Sequence, residues 1–320
     1  MSGRLVISLD FELMWGVRDH RSVAGYGDAV LGARKAIPQI LSLFSQHGIN
    51  ATWATVGLLF ARTRDEMHAF APSIRPSYDN ATLSPYPALD QIGATEAADP
   101  LHFGRSLLDQ IAATPGQEIA THTFGHVYAL EPGMTPDAWR ADLQAAIAIA
   151  RQAGHQMRSI VFPRNQMGAQ HVSICQELGL TVIRGNAPGA VYRPRSGDEL
   201  TLSVRALRYL DGALPLLGST SFELPGKGAV VDVPASRFLR PWNPRFPLYS
   251  SLHQRRIKRE MTQAAKAGKG YHLWWHPHNM GRDTQRNMDQ LDAILSHFSK
   301  LRARFDFQSV SMGAFGGSAC

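Results

Sequence analysis

Short, nearly continuous apolar runs recur along the chain at Leu5 to Leu9, Thr52 to Gly57, Glu118 to Thr121, Ser159 to Phe162, Leu180 to Ile183, Ala229 to Val233 and Tyr271 to Trp275. Runs of this length without polar alternation read as strands buried on both faces. Patterns of helical period lie between several of them. Ile37, Ile40, Leu41 and Phe44 share a face, Gly48 is placed to end that helix, and Pro38 marks a start or a kink. Thr135 followed by Pro136 makes an N-cap and first-turn pair, with Trp139, Leu143 and Ile147 continuing at helical spacing to Gly154. Asp283 to Arg304 carries Met288, Leu291, Leu295 and Phe298 on one stripe, and a last strand near Phe307 to Val310 follows. Strand alternating with helix implies an α/β fold with a mainly parallel sheet and helices outside. The element count suits a closed or slightly open (β/α) barrel better than an open sheet.

Two segments break the alternation, at about residues 62–103 and 186–228. The first holds Pro72, Pro76, Pro85, Pro87 and Pro100; the second is rich in Gly, Pro and Arg. Insertions of this length in a compact domain are functional lids or disordered. Tyr78, Tyr86 and Phe103 make the first a candidate substrate wall, with surface decoration the competing reading. No internal repeat or linker divides the chain, so a single domain over 1–320 is expected.

The balance of 33 Lys and Arg against 26 Asp and Glu gives a formal charge of +7 and a pI near 9.6. That excess is either a diffusely basic surface or a sign of anionic partners: nucleic acid, acidic lipid or a phosphorylated substrate. No dense Lys/Arg block singles out nucleic acid, and none is expected. With 44% apolar residues the composition is neither disordered, collagenous nor disulfide-rich. Cys175 falls in a predicted helix and Cys320 is the last residue, which leaves no spaced pairs and suits a reducing cytosol. The apolar run before Asp10 and Glu12 is too short for a secretory h-region, and no stretch approaches the ~18 residues of a membrane span. These features predict a cytoplasmic protein that does not cross a bilayer; nothing in the sequence speaks to its oligomeric state.

The strongest local signal is His122-Thr-Phe-Gly-His126, directly after the run Glu118 to Thr121. Thirteen histidines in 320 residues predict about 0.5 such HxxxH pairs by chance, so position gives the motif its weight. A zinc-like ion needs imidazoles converging from a short segment, usually with a carboxylate, and an open position for water. Histidines hydrogen-bonded within a loop fit the same spacing. Asp10 and Glu12 alternate onto one side of the first strand's end, where buried acids require a cation, hydrogen bonds or neutralisation. Alternatively Glu12 turns outward and Asp10 caps the next turn. His272, His276 and His278 share parity at the end of the penultimate strand. Phe162-Pro163-Arg164-Asn165-Gln166 follows another strand, and Arg164 is placed either to orient a carboxylate or to form a structural ion pair. All four clusters fall just beyond the carboxyl ends of predicted strands, the face on which barrel enzymes assemble active sites.

At these residues the chain resembles the polysaccharide deacetylases, the NodB homology domain of carbohydrate esterase family 4. EIATHTFGH resembles the family's H-[ST]-x-x-H motif, which supplies two metal-binding histidines. SLDFE resembles its first motif, in which one acid is the catalytic base and the next binds the metal, although two adjacent aspartates are usual there. The Ala51 to Gly57 strand and LWWHP resemble its second strand and its late motif, whose histidine is a general acid. FPRNQ resembles the third motif with Arg and Pro reversed. The resemblance implies a distorted (β/α) barrel of the polysaccharide deacetylase type. It implies Asp10 as base, His276 as general acid, and Glu12, His122 and His126 as ligands of one divalent ion, expected to be zinc. Arg164 is then expected to hold Asp10 ionised, Trp275 to stack on a sugar face, and Asn165 to contact substrate. The expected reaction is hydrolysis of an N-acyl group, an acetyl above all, from an amino sugar, with a backbone N–H after the histidine motif helping to hold the oxyanion. The lack of an export signal and the basic charge point to a nucleotide- or lipid-linked carbohydrate substrate. Competing readings are a hydrolase of another C–N bond, such as a deformylase or small amide hydrolase, a glycosidase, which has no use for HxxxH, and a non-catalytic glycan-binding protein.

Overall fold

The computed structural model describes residues 2–226 and 228–316; Lys227 and Cys320 lie outside the described residues. In chain order its elements are β1 (Arg4–Phe11), α1 (Val23–His47), β2 (Ala51–Thr55), α2 (Arg64–Phe70), α3 (Arg105–Ala113), β3 (Gln117–Thr121), α4 (Pro136–Gln152), β4 (Ser159–Ile160), α5 (Ala169–Glu177), β5 (Val182–Ile183), α6 (Leu202–Asp211), β6 (Val231–Asp232), β7 (Arg237–Phe238), α7 (Pro247–Ala267), β8 (Gly270–Trp275), α8 (Thr284–Phe305) and β9 (Gln308–Val310). The strands pair in parallel in the order β6-β5-β4-β3-β2-β1-β8-β7. β9 lies beside the first residues of β1, on the side that β2 takes over from Ile7 onward. No ladder among the described residues joins β6 to β7, so the sheet is a curled half-barrel with helices outside.

Side-chain parity on β1 explains the layers. Leu5, Ile7, Leu9 and Phe11 face the helices, packing in one cluster with Ile37, Ile40 and Phe44 of α1, Ile257 and Met261 of α7, and Leu291 and Phe298 of α8. Each such fully buried side chain contributes roughly 1.5–3 kcal/mol. Val6 faces the barrel interior with Ala54, Val161, Val182 and Val231. Ser8 and Asp10 continue that inner face toward the carboxyl end, so the inside of the sheet passes from apolar to polar along one strand.

The helix signals act as expected. Thr135 caps α4, its Oγ1 accepting the Ala138 N–H at 3.2 Å. Gly48 ends α1 in the left-handed conformation (φ 65), and α1 runs through Pro38 rather than starting there. β7 has no counterpart among the apolar runs, because two residues, one an arginine, carry no readable period. The second insertion is built on α6, and the first on α2 with short 3-10 turns. No described helix is long and apolar enough to cross a membrane.

Candidate active site

β1 delivers Asp10 to its carboxyl end and Glu12 just beyond, both buried. The chain turns at Leu13 (φ 47), and Gly16 follows because a Cβ there would meet the Glu12 carboxyl carbon at 1.9 Å. His122 follows β3 directly, its N–H donating to the Thr55 carbonyl at 2.9 Å, so pairing with β2 sets where the histidine loop begins. That loop holds Thr123 (φ 65) and His126 (φ 55) in the left-handed region, which costs about 1–3 kcal/mol for each non-glycine residue. Asp142, buried on α4, holds the loop in place by accepting the N–H groups of Phe124 (2.6 Å) and Gly125 (3.1 Å) and the Tyr86 hydroxyl (3.1 Å). Burial pushes the Asp142 carboxyl up to about 6 despite those three donors.

Four imidazoles converge on Glu12. Nε2 of His122 and of His126 lie 3.3 and 3.1 Å from its Oε2, and Nε2 of His276 and of His278 lie 3.7 and 3.9 Å from its Oε1. His122 Nδ1 lies 2.8 Å from the Val161 carbonyl; a carbonyl only accepts, so Nδ1 carries the proton and Nε2 presents its lone pair inward. Burial drives His126 down to about 4 and His278 to about 3, leaving both neutral near pH 7. Burial would raise the Glu12 carboxyl, yet the imidazoles around it, His276 first, bring it well below its ordinary value. An ionised buried carboxylate among converging imidazole nitrogens is a donor set suited to a divalent cation. Two groups meet that description, Glu12 with His122 and His126, and Glu12 with His276 and His278, each with its ligand atoms within 4.8 Å of one another.

Asp10 is held by a different partner. Arg184, the residue after β5, is fully buried and grips both Asp10 oxygens at 2.6 and 2.8 Å. The same guanidinium donates to Ser8 Oγ and Asn165 Oδ1, each at 3.0 Å, and lies 4.3 Å over the Trp274 ring. Burial opposes ionisation of Asp10, but Arg184 holds its carboxyl below the ordinary value. His276 Nδ1 lies 3.0 Å from Asn279 Oδ1, and its Nε2 stands 3.7 Å from Asp10 Oδ2. The His276 side chain is 25% exposed, so its ring opens on a cavity.

Several expectations are corrected by this geometry. Arg164 does not orient Asp10: its guanidinium pairs with Asp19 at the rim and lies 4.1 Å over the Tyr128 ring. Trp275 is not a sugar platform, since strand parity turns it outward into the core, fully buried and 6.2 Å from the Phe44 ring. Trp274, on the inner face with His272 and His276, lines the cavity instead. The N–H groups expected to hold an oxyanion are occupied, those of Phe124 and Gly125 by Asp142, Val127 by Thr123 Oγ1 and Tyr128 by the Tyr78 hydroxyl. Tyr78, Tyr86 and Phe103 are buried braces rather than a substrate wall. Asn165 lines the cavity. Arg184, Asp142 and Trp274 escaped the sequence reading, and His278 entered it only through its parity with His276. Arg184 carried a usable signal, because it follows the run Leu180 to Ile183 as His122 follows Glu118 to Thr121.

Acids and histidines gathered at the carboxyl ends of a parallel curled sheet form an enzyme-like site. A family model described as polysaccharide deacetylase matches residues 24–183, half of the chain, and the chain belongs to that family. The matched span contains His122 and His126 and stops one residue before Arg184. No curated protein matches the chain. Among solved structures, it is similar to a protein from Mycobacterium smegmatis assigned as a polysaccharide deacetylase, at 15% identity and a TM-score of 0.61, covering 99% of this chain and 90% of that one. A Pseudomonas aeruginosa PAO1 protein with the same assignment gives 12% identity and a TM-score of 0.54, covering 97% and 87%. A GH57-type branching enzyme from Pyrococcus horikoshii gives 12% and 0.53, covering 98% and 70%. At these identities the likeness is one of fold.

Proposed function

We propose that this chain is a metal-dependent hydrolase that removes an N-acyl group, an acetyl, from an amino sugar. The observation that carries the reading is the juxtaposition of Glu12, flanked by the Nε2 atoms of His122 and His126, with an Asp10 locked by Arg184. Glu12, His122 and His126 would hold one divalent ion, zinc being favoured by the nitrogen donors. Such an ion, when bound, supplies Lewis acidity toward an acyl carbonyl and toward water. Asp10, kept ionised by Arg184, accepts a proton from the attacking water as general base. His276, with Nδ1–H fixed on Asn279, presents Nε2 to the leaving nitrogen and donates the proton it needs. The C–O bond forms, the C–N bond breaks, and a carboxylic acid and a free amine leave.

In this reading the protein acts as a single catalytic domain, a view supported by β1 and β9, from opposite ends of the described chain, pairing in one sheet. It works in the cytoplasm on a sugar carried by a phosphate-bearing nucleotide or lipid, in keeping with the net charge of +7. Elemental analysis of purified protein, together with free-amine release from a panel of N-acetylated and N-formylated amino sugars, tests the proposal. Stoichiometric divalent metal and acetyl release are expected. Full activity in metal-free protein overturns the mechanism.

A further inference from the structure

Beside the catalytic cavity of about 340 Å³ lies a larger one of about 550 Å³, and the two share His20, Arg164, Asn165, Phe238, Trp274 and His276 in their walls. A ligand whose reacting group sits against His276 therefore has room to extend into the larger space. Seven arginines line that space and no aspartate or glutamate does. Two of the seven are neutralised, Arg164 by Asp19 and Arg237 by Asp211 and Glu260. The other five, Arg193, Arg195, Arg205, Arg208 and Arg240, have no carboxylate partner among the described residues. Arg195 and Arg208 donate to the Val191 carbonyl, Arg205 donates to that of Leu200, and Arg240 lies 4.8 Å over the Tyr209 ring. Burial, and then the neighbouring Arg195 charge, push the Arg208 guanidinium below its ordinary value. A concave wall of like charge with no counter-charge repels itself until an anion enters, and the guanidinium fork matches phosphate oxygens.

We propose that this cavity binds the phosphate or diphosphate of a phosphate-linked amino sugar, placing the sugar's N-acyl group against His276 and Asp10. The proposal rests on the N-acyl hydrolase reading for its substrate, while the anion site itself stands on the cavity. Four of the five free arginines belong to the insertion at about 186–228, so that segment reads the carrier rather than the sugar. Leu202, Leu210, Leu214 and Leu216 are exposed on the same insertion, which suits a lipid carrier.

The test presents each sugar of the N-acetylated panel in three forms: linked to uridine diphosphate, linked to a short polyprenyl diphosphate, and as the uncharged methyl glycoside. At least a tenfold higher kcat/KM is expected for a phosphate-linked form, the polyprenyl form leading, and the faster of the two names the carrier. Arg193→Ala combined with Arg205→Ala should shrink that preference about tenfold. Equal turnover of charged and uncharged forms, or a preference the double variant leaves intact, overturns the proposal. Calorimetry with inorganic pyrophosphate separates this from a failure of the hydrolase reading. Loss of acetyl release from every form with pyrophosphate binding intact, and weakened about tenfold in the double variant, sinks the hydrolase reading alone. Equal pyrophosphate binding by wild type and variant sinks the anion site.

Discussion

The two halves of the sheet carry charge in opposite ways. β1, β2, β3 and β8 run five to eight residues, and their ladders set the Nε2 atoms of four histidines 3.1 to 3.9 Å from the Glu12 carboxylate before any ligand arrives. β4 to β7 run two residues each and contribute guanidiniums instead. Two arginines cross between the halves at the site, Arg184 to Asp10 deep inside and Arg164 to Asp19 at the rim. The long-strand half thus builds a site for chemistry, and the short-strand half holds that site ionised and faces outward with positive charge.

The sharpest way to break this comparison is to neutralise the two acids of the long-strand half separately. Asp10→Asn should keep the metal and lose about 10² to 10⁴ in kcat, the usual contribution of a general base. Glu12→Gln should lose metal and activity together, and excess metal should restore only this variant. Metal titration alongside kcat decides it. If Asp10→Asn is the variant rescued by metal, the two roles are reversed, and Arg184 orients a ligand rather than a base.

The next largest effect compares the two arginines that cross between the halves. Arg184→Gln leaves the Asp10 carboxylate buried without its partner, a change that costs about 3–5 kcal/mol and should also lower kcat. Arg164→Gln removes a partner whose side chain is 34% exposed, and exposed ion pairs contribute only about 0–1 kcal/mol. Urea midpoints of the two variants measure the gap. Equal losses would mean that rim and interior pairs stabilise alike and that the halves are not distinct.

A third measurement concerns the histidine loop. Asp142→Ala strips the acceptor from two buried N–H groups, each worth about 1–3 kcal/mol when orphaned. Stability should fall by about 2–4 kcal/mol, and metal affinity should fall with it, because His122 and His126 flank those N–H groups. A destabilised variant that binds metal as tightly as wild type would show that the loop's conformation does not depend on Asp142.

What the sequence disclosed follows the same division. Glu12, His122 and His276 were readable because each follows closely on a run long enough to show its period, whereas His126 was readable through its HxxxH spacing from His122. Strand parity argued for Trp274 over Trp275, since Trp274 alternates with His272 and His276. In the short-strand half, two-residue strands leave no period, so β7 is not legible and the arginine that holds Asp10 is not the one its neighbourhood suggests. Asp142 was hidden for another reason. A lone acid on an otherwise apolar helix face looks like noise in a hydrophobic pattern, and its partners are backbone N–H groups that no residue type advertises.

The smallest expected effect is a pH dependence at the rim pair. Asp19 lies after β1 and Arg164 after β4, so the pair joins the halves across the cavity mouth. Burial works against ionisation of Asp19, yet hydrogen bonding to His20 and the charge of Arg164 lower its carboxyl from 3.8 to about 2. A carboxyl depressed in the folded state adds stability above its unfolded pKa and loses it as pH falls through the folded one. The contribution of Asp19 should therefore be complete above about pH 4 and fade toward pH 2. Discounted for the partly exposed Arg164, it amounts to about 1–2 kcal/mol. Asp19→Asn should lower the urea midpoint at pH 7 and converge with wild type below pH 3. A difference between the two proteins that stays constant from pH 7 to pH 2 would mean that Asp19 acts through shape rather than charge, leaving the buried pair of Arg184 with Asp10 to carry the electrostatic link between the halves.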